Sequence, residues 1–151
     1  MQVSFDSNYI PKILRQLERL QETIRLRREK QRAYIDRLHD LSKIKILPLD
    51  LNGVPWRFLF RIPGIDRKMQ ESISHHLRRE GIDVSNWYVP THWMLKTGFR
   101  TIGKLTGTEI LSNTIYQFWV TKNMTTRKID HACHVLRHIN QSRFQFLHCN
   151  Y

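Results

Sequence analysis

Apolar residues recur every three to four positions through the first forty residues of the chain, the pattern of an amphipathic helix. The spacing predicts one long helix from Pro11 to about Leu41, with Pro11 suited to its first turn. The apolar stripe is interrupted by the charged run 25–32 and comprises Ile13, Leu17, Leu20, Ile24, Tyr34, Leu38 and Leu41. Because a helix of this length reaches about 47 Å, we expect it to dock at its ends and to cross solvent or another protein between them.

Strand patterns follow this helix, with polar and apolar residues alternating over short runs. They predict strands at 43–47, 54–62 and 115–120, and a short strand at 82–84. In the second run the large apolar residues point one way and are Val54, Trp56, Phe58, Phe60 and Ile62. Arg57, Leu59 and Arg61 point the other way, so we expect the apolar side of this strand to lie on helices.

Three further helices are indicated by caps and periodic apolar positions. Asp66 is placed to cap one helix, and Gly81 to end it. A short helix is predicted to start near Thr108, and a last one behind Thr125 or Thr126. Residues 85–107 show little periodicity and are predicted to be irregular, while 143–147 could form an edge strand.

The order of these elements predicts an α+β fold, in which a small mixed or antiparallel sheet is covered by helices and preceded by one long N-terminal helix. With 151 residues the chain is long enough for one domain, so we expect a single domain over 1–151. Within it we separate a linking helix, 1–43, from an α+β small domain, 44–151.

Composition narrows the class of protein. No apolar run approaches the roughly 20 residues that span a bilayer, and the N-terminus lacks the pattern of a secretory signal. The two cysteines, Cys133 and Cys149, are too few for a disulfide scaffold, and Cys133 falls on the inner side of its helix. We therefore expect a cytoplasmic protein that does not contact membranes.

The charge is unusual, because 25 lysines and arginines face 13 acidic residues and give a net charge of +12. Such a balance favours polyanions: nucleic acid, a phosphorylated ligand or an acidic protein. Trp56, Phe58 and Phe60, with arginines between them, could stack on single-stranded nucleic acid, or could equally be a strand buried against helices. Both interpretations stay open.

Residues that could carry chemistry are sparse. His131, His134 and His138 share one helix face, but that face is opposite the apolar stripe and lacks a carboxylate, so we expect a solvated face and no metal site. Neither a phosphate-binding glycine loop nor a nucleophile elbow is present, and we assign no catalytic residue. The loop 85–93 combines hydrogen-bonding side chains with flat rings, which suits either a ligand site or a plug for the core.

Several segments in the same order resemble one known family. The run 14–20, continuing through 27–29 to Tyr34, resembles the linking helix of the DegT/DnrJ/EryC1/StrS family of pyridoxal-phosphate-dependent sugar aminotransferases. Segments 77–82 and 87–92 are similar to its helix-Gly-Ile strand and His-Tyr-Pro-x-His loop, and 108–125 to its Ala-Glu-x-Leu-Ser, Leu-Ser-Leu-Pro and Leu-Thr segment. The chain departs from this pattern at Trp87, in place of a histidine, and at Trp119, in place of a proline.

The resemblance covers only the family's C-terminal small domain, that of a fold-type I enzyme. It implies that the large domain with the cofactor-binding lysine is missing, so that the chain closes a nucleotide-sugar pocket but does not transaminate alone. It also implies that Trp87, Tyr88 and His92 bind substrate, with Tyr88 and His92 at the mouth of the active site, where they touch the sugar nucleotide or orient the neighbouring subunit. Pyridoxal phosphate is implied for the complete enzyme, with no cofactor on this chain. The large domain is the expected partner, or else a second copy bound through the long helix.

Charge alone suggests further contacts of Arg57, Arg61 and Arg79 with the diphosphate of such a substrate. The alternative function is a stand-alone basic module that binds nucleic acid, the less favoured partner, or an acidic protein.

Overall fold

A four-stranded sheet and six α-helices make up the part of the chain that the structure, a computed structural model, describes: residues 7–48, 53–86, 89–94 and 103–142. After a 3-10 turn, Ser7–Tyr9, the helices are α1 (Ile10–Glu18), α2 (Leu20–Leu38), α3 (Arg67–Arg79), α4 (Thr91–Met94), α5 (Thr106–Thr114) and α6 (Thr126–Gln141). The strands are β1 (Lys45–Ile46), β2 (Arg57–Arg61), β3 (Val84–Ser85) and β4 (Ile115–Trp119). The predicted α+β fold is confirmed.

The sheet has the strand order β1-β2-β4-β3, and every pair in it is antiparallel. Phe58 lies opposite Phe118 and Phe60 opposite Tyr116, so these four rings share one face of the sheet. We call it the core face. Val84 joins it from β3, opposite Phe118.

The core lies between this face and helices α2, α3 and α6. Tyr34 of α2 stacks on Phe58 with ring centroids 4.8 Å apart, and Phe60 stacks on Tyr116 at 5.3 Å. The helices add buried apolar side chains, namely Leu38, Ile73, Leu77, Ile129, Ala132, Cys133, Val135, Leu136 and Ile139. Burial raises the pKa of the Cys133 thiol to about 12, which keeps it a neutral core residue as predicted.

Polar contacts fix α2 against α6 at the edge of this core. Arg137 donates two hydrogen bonds to the carboxylate of Asp40, at 2.8 and 2.9 Å. Arg37 pairs with Asp130, and the backbone N–H of Lys43 donates to Asn140 Oδ1 at 3.0 Å. The C-terminal half of the predicted long helix is therefore docked firmly.

The N-terminal half behaves differently from the prediction. The helix is interrupted at Arg19, whose carbonyl accepts hydrogen bonds from both the backbone N–H and the hydroxyl of Thr23. The backbone of Arg19, with φ −91° and ψ 1°, leaves the helical region and ends α1. α1 has no buried residue, so the expectation that both ends of the helix dock was wrong for its N-terminal end.

Local signals mostly gave the correct element ends. The Asp66 carboxylate accepts from the Met69 N–H at 2.8 Å, and Gly81 has a left-handed φ of 74°, so both predicted helix ends are confirmed. Thr125 caps α6, accepting from the Lys128 N–H at 3.3 Å. The predicted start near Thr108 is off by two residues, since α5 begins at Thr106.

Strand lengths were predicted less well. The run 54–62 yields only Arg57–Arg61, because the pairing with β4 ends at Arg57 opposite Trp119. Val54 and Trp56 are thus exposed and not part of the core face. The strand at 43–47 shortens to β1, and β3 keeps only Val84 of the strand predicted at 82–84 and extends to Ser85. The region predicted to be irregular contains α4, and 143–147 lie outside the described residues.

Candidate functional site

The loop predicted to contact substrate is described only in part. Trp87 and Tyr88 lie outside the described residues. His92 lies in the single turn of α4, with 17% of its side chain exposed. Its Nε2 is 3.2 Å from Oε1 of Glu109 in α5. A partly buried imidazole is thereby held by a carboxylate in a fixed orientation.

The next residue, Trp93, joins α4 to α3. Its ring meets that of His92 edge to face at a centroid distance of 5.8 Å. The Arg67 guanidinium lies 5.6 Å from the Trp93 ring centroid, within cation–π range. Three helices, α3, α4 and α5, therefore meet around His92.

A network of hydrogen bonds holds the chain just before Trp87. The Ser74 hydroxyl is 2.7 Å from Asn86 Oδ1, and the Asn86 amide donates to the Ile115 carbonyl at 3.2 Å. The buried Gln70 amide donates to the carbonyls of Ser112 and Ile115, at 2.8 and 3.0 Å. Because buried amides are costly to leave unpaired, this network fixes where the loop leaves the sheet.

Neither this network nor the partner of His92 was predicted from the sequence. The contacts Glu109–His92, Gln70–Ile115 and Ser74–Asn86 join residues that are 12 or more positions apart, so no local spacing signals them. A buried polar residue on the apolar side of α3 would have been the available hint, since such residues need partners.

The face of the sheet opposite the core face carries two of the three arginines proposed for a diphosphate. The Arg57 guanidinium lies 3.1 Å from the centroid of the Trp119 ring, and burial lowers its pKa. Arg61 donates to the Thr114 hydroxyl at 2.9 Å. Arg79 is exposed at the end of α3, whose buried side chains join the core, so the structure does not bring the three into one site.

The proposed stacking platform for nucleic acid is wrong for two of its three rings. Phe58 and Phe60 have no exposed surface, and only Trp56 is open to solvent. The other interpretation, a strand buried against helices, is correct for the strand itself.

An exposed apolar surface runs along α1 into the start of α2. We call it the α1 stripe, and it consists of Tyr9, Ile10, Ile13, Leu14, Leu17 and Leu20, each more than 40% exposed. Ile13, Leu17 and Leu20 line a groove of about 580 Å³ that reaches to Val54. Exposed apolar patches of this kind mark contact surfaces for other molecules.

The remaining expectations concern metals and membranes. His131, His134 and His138 are exposed, as predicted for a solvated face. Within the described ranges no three or more histidines, cysteines or acidic residues are grouped so that they could hold a metal. No helix among the described residues has the length and apolar character needed to cross a membrane.

Comparison with known proteins identifies the fold. The sequence model of the DegT/DnrJ/EryC1/StrS aminotransferase family matches residues 13–137. No curated protein sequence matches the chain.

Solved structures give a consistent result. An aminotransferase of this family from Brucella abortus has a TM-score of 0.69 and 20% identity, over 85% of this chain and 34% of its own. DesI, solved in the presence of its TDP-sugar product, has a TM-score of 0.71 and 19% identity, over 86% of this chain and 34% of its own. Putative sugar aminotransferase Spr1654 from Streptococcus pneumoniae, in its PMP form, has a TM-score of 0.71 and 14% identity, over 84% of this chain and 33% of its own.

The chain thus spans about a third of the length of the solved structures that it matches. The match of the family model extends from within α1 to within α6, and so includes most of the α1 stripe, the sheet and the His92–Glu109 pair. This chain belongs to the DegT/DnrJ/EryC1/StrS aminotransferase family.

Proposed function

We propose that this chain acts as the small C-terminal domain of a pyridoxal-phosphate-dependent nucleotide-sugar aminotransferase, closing the substrate pocket without transaminating alone. The observation that carries the proposal is the extent of the match: 85% of this chain corresponds to 34% of the Brucella abortus aminotransferase. That DesI was solved with a TDP-sugar product supports a nucleotide-linked sugar as the substrate class.

The lysines of the chain support a division of labour. An aminotransferase needs a lysine that reacts with the cofactor aldehyde inside a cleft shielded from water. Every lysine in the described ranges is exposed or half-buried. None of these lysines lies in the shielded cleft that pyridoxal phosphate needs, so they do not suit the cofactor. We assign the cofactor to a separate, lysine-bearing large domain.

The α1 stripe is the surface that we assign to this large domain. Leu14 and Leu17 are more than half exposed, and α1 packs none of its side chains into the core. Since burial stabilises by about 25 cal/mol per Å² of apolar surface, covering this stripe gives a strong drive for association. Most of the stripe lies within the segment that the family model matches, which favours the large domain over an unrelated partner.

The substrate contacts are assigned to the loop after β3. Glu109 orients His92 from α5, and the hydrogen bonds of Asn86 hold the chain just before Trp87 and Tyr88. We propose that Trp87, Tyr88 and His92 contact the sugar nucleotide when the large domain is bound.

The test is a pull-down from the cells that make this protein, with the tagged chain as bait. Borohydride reduction of the eluate converts a lysine that holds pyridoxal phosphate into a fluorescent pyridoxyl-lysine. We expect this label on a second polypeptide captured by the natural chain. The double variant L14E/L17E should lose that polypeptide, because both changes put charge on the α1 stripe.

The control is Ile110→Glu, which places one carboxylate on an apolar residue of α5 that is 50% exposed. It should retain the labelled partner. A pyridoxyl-lysine on this chain itself would contradict the proposal, as would equal capture of the partner by L14E/L17E. Self-association lost in L14E/L17E without any labelled partner would favour a second copy as the occupant. Tight, salt-dependent oligonucleotide binding instead would favour the basic module.

A further inference from the structure

His134 and His138 approach each other on the exposed side of α6. Their Nε2 atoms are 3.1 Å apart, and their rings meet at an interplanar angle of 76° with centroids 4.5 Å apart. One of these two nitrogens donates a hydrogen bond to the other. The same arrangement places one nitrogen of each ring side by side on the surface of the helix.

The separation of these nitrogens suits chelation of one cation. Imidazole nitrogen lies about 2.0–2.1 Å from a bound Zn²⁺. Two such nitrogens on one metal are about 2.9 Å apart at a right angle and about 3.3 Å apart at a tetrahedral angle. The observed 3.1 Å falls between these two values.

The helix under the pair is rigidly held. Val135 and Leu136, between the two histidines, are buried in the core, and the helix is tied to α2 by the Arg137–Asp40 and Arg37–Asp130 pairs. The distance between these two side chains, which lie four residues apart in the sequence, is therefore fixed in the folded protein but not in the unfolded chain.

Of the three histidines on this helix, only His134 and His138 lie together, and the neighbouring groups explain why. His131 Nε2 is 2.9 Å from the Glu80 carbonyl, so this ring is turned toward α3. The charge of Arg137, next to His138, is compensated by Asp40. A cation at the pair thus meets two imidazoles and open positions for water.

Against the expectation from the sequence that this face holds no metal, we propose that His134 and His138 form a bidentate, solvent-open binding site for a divalent transition metal that prefers imidazole: Cu²⁺, Ni²⁺ or Zn²⁺. Affinity follows the usual order for nitrogen ligands, with Cu²⁺ bound more tightly than Ni²⁺ and Ni²⁺ more tightly than Co²⁺. Because the metal binds the folded helix and not the unfolded chain, it raises the unfolding temperature. The site is independent of the proposed aminotransferase partnership.

The test uses tag-free protein with Cys149→Ser, so that the only thiol left is the buried Cys133. Calorimetric titration with NiCl₂ at pH 8 should give one site. At a metal concentration 100-fold above Kd, the unfolding temperature should rise by about 5–10 °C. His134→Ala and His138→Ala should each weaken binding at least tenfold and abolish most of that rise.

The matched control is His131→Ala, which removes an exposed histidine of the same helix and should leave Ni²⁺ affinity unchanged. Far-UV circular dichroism shows that each variant is folded. Unchanged affinity in His134→Ala or His138→Ala overturns the proposal, and so does equal loss in His131→Ala. Binding without any rise in unfolding temperature also overturns it, because the site would then not depend on the folded helix.

Discussion

The hydroxyl of Tyr34 offers the sharpest test of the core as described. The side chain has no exposed surface, its ring stacks on Phe58, and its hydroxyl has no hydrogen-bond partner among the described residues. Burial raises the pKa of the phenol, so the group stays neutral. A neutral hydroxyl that gives up water without gaining a partner costs about 1–3 kcal/mol.

Tyr34→Phe removes this cost and keeps the ring. We expect the free energy of unfolding to rise by about 1 kcal/mol, allowing for the small space left by the missing oxygen. For a chain of this size, that corresponds to an increase in unfolding temperature of about 2–4 °C. Urea unfolding should show a higher midpoint and an unchanged slope, since the surface exposed on unfolding is the same.

Tyr116→Phe is the matched control. Tyr116 is equally buried, but its hydroxyl donates to the Gln70 carbonyl at 3.4 Å. Its removal should therefore lower the free energy of unfolding by about 0.5 kcal/mol. If Tyr34→Phe destabilised the protein as much as Tyr116→Phe, the Tyr34 hydroxyl would have a partner and the reasoning would fail.

Substitutions at two helix ends and measurements on the buried thiol give further tests. Asp66→Ala should lower the free energy of unfolding by about 1 kcal/mol through loss of the α3 cap, with Asp66→Asn much milder, both measured by urea unfolding. Gly81→Ala should lower the free energy of unfolding by about 1 kcal/mol through the left-handed φ alone, because a methyl group at this position meets no other described atom. A larger loss of stability in thermal unfolding would reveal a clash. In a Cys149→Ser background, Cys133 should resist alkylation at pH 8 until urea unfolds the chain. Burial raises the pKa of this thiol from the ordinary 9.0 to about 12, so the unfolded chain loses the thiol proton at a lower pH than the folded protein. The free energy of unfolding should therefore be unaffected by this thiol below pH 9 and should fall as the pH rises from 9 toward 12. Urea unfolding over a pH series measures this, and the absence of any fall would refute it.

Features set by neighbouring residues were predictable from the sequence. The Asp66 cap binds an N–H three residues away, and Gly81 needs only its own backbone conformation, so both could be found by local inspection. The inward position of Cys133 on α6 was correct for a similar reason, because helical spacing alone places it on the apolar side. Sequence resemblance identified the family, which depends on the order of segments over most of the chain.

Features set by distant residues were not predictable in this way. The run 54–62 looks like one strand, but where it starts depends on where β4, more than fifty residues later, stops pairing. The partner of His92 is in another helix, and the α1 stripe shows an apolar surface without showing what covers it. The proposed substrate contacts of Trp87, Tyr88 and His92 stay predictions.

The strand order has a consequence for synthesis on the ribosome. β4 pairs with both β2 and β3, yet it is the last of the four strands to be made. Until residues 115–119 emerge, the edge of β2 that pairs with β4 is open, and β3 lacks the strand with which it pairs. An apolar, unpaired strand edge is therefore exposed while the second half of the chain is translated, which is when such chains aggregate. Slow translation between β2 and β4 should raise the need for chaperones, whereas the same delay after β4 should matter much less.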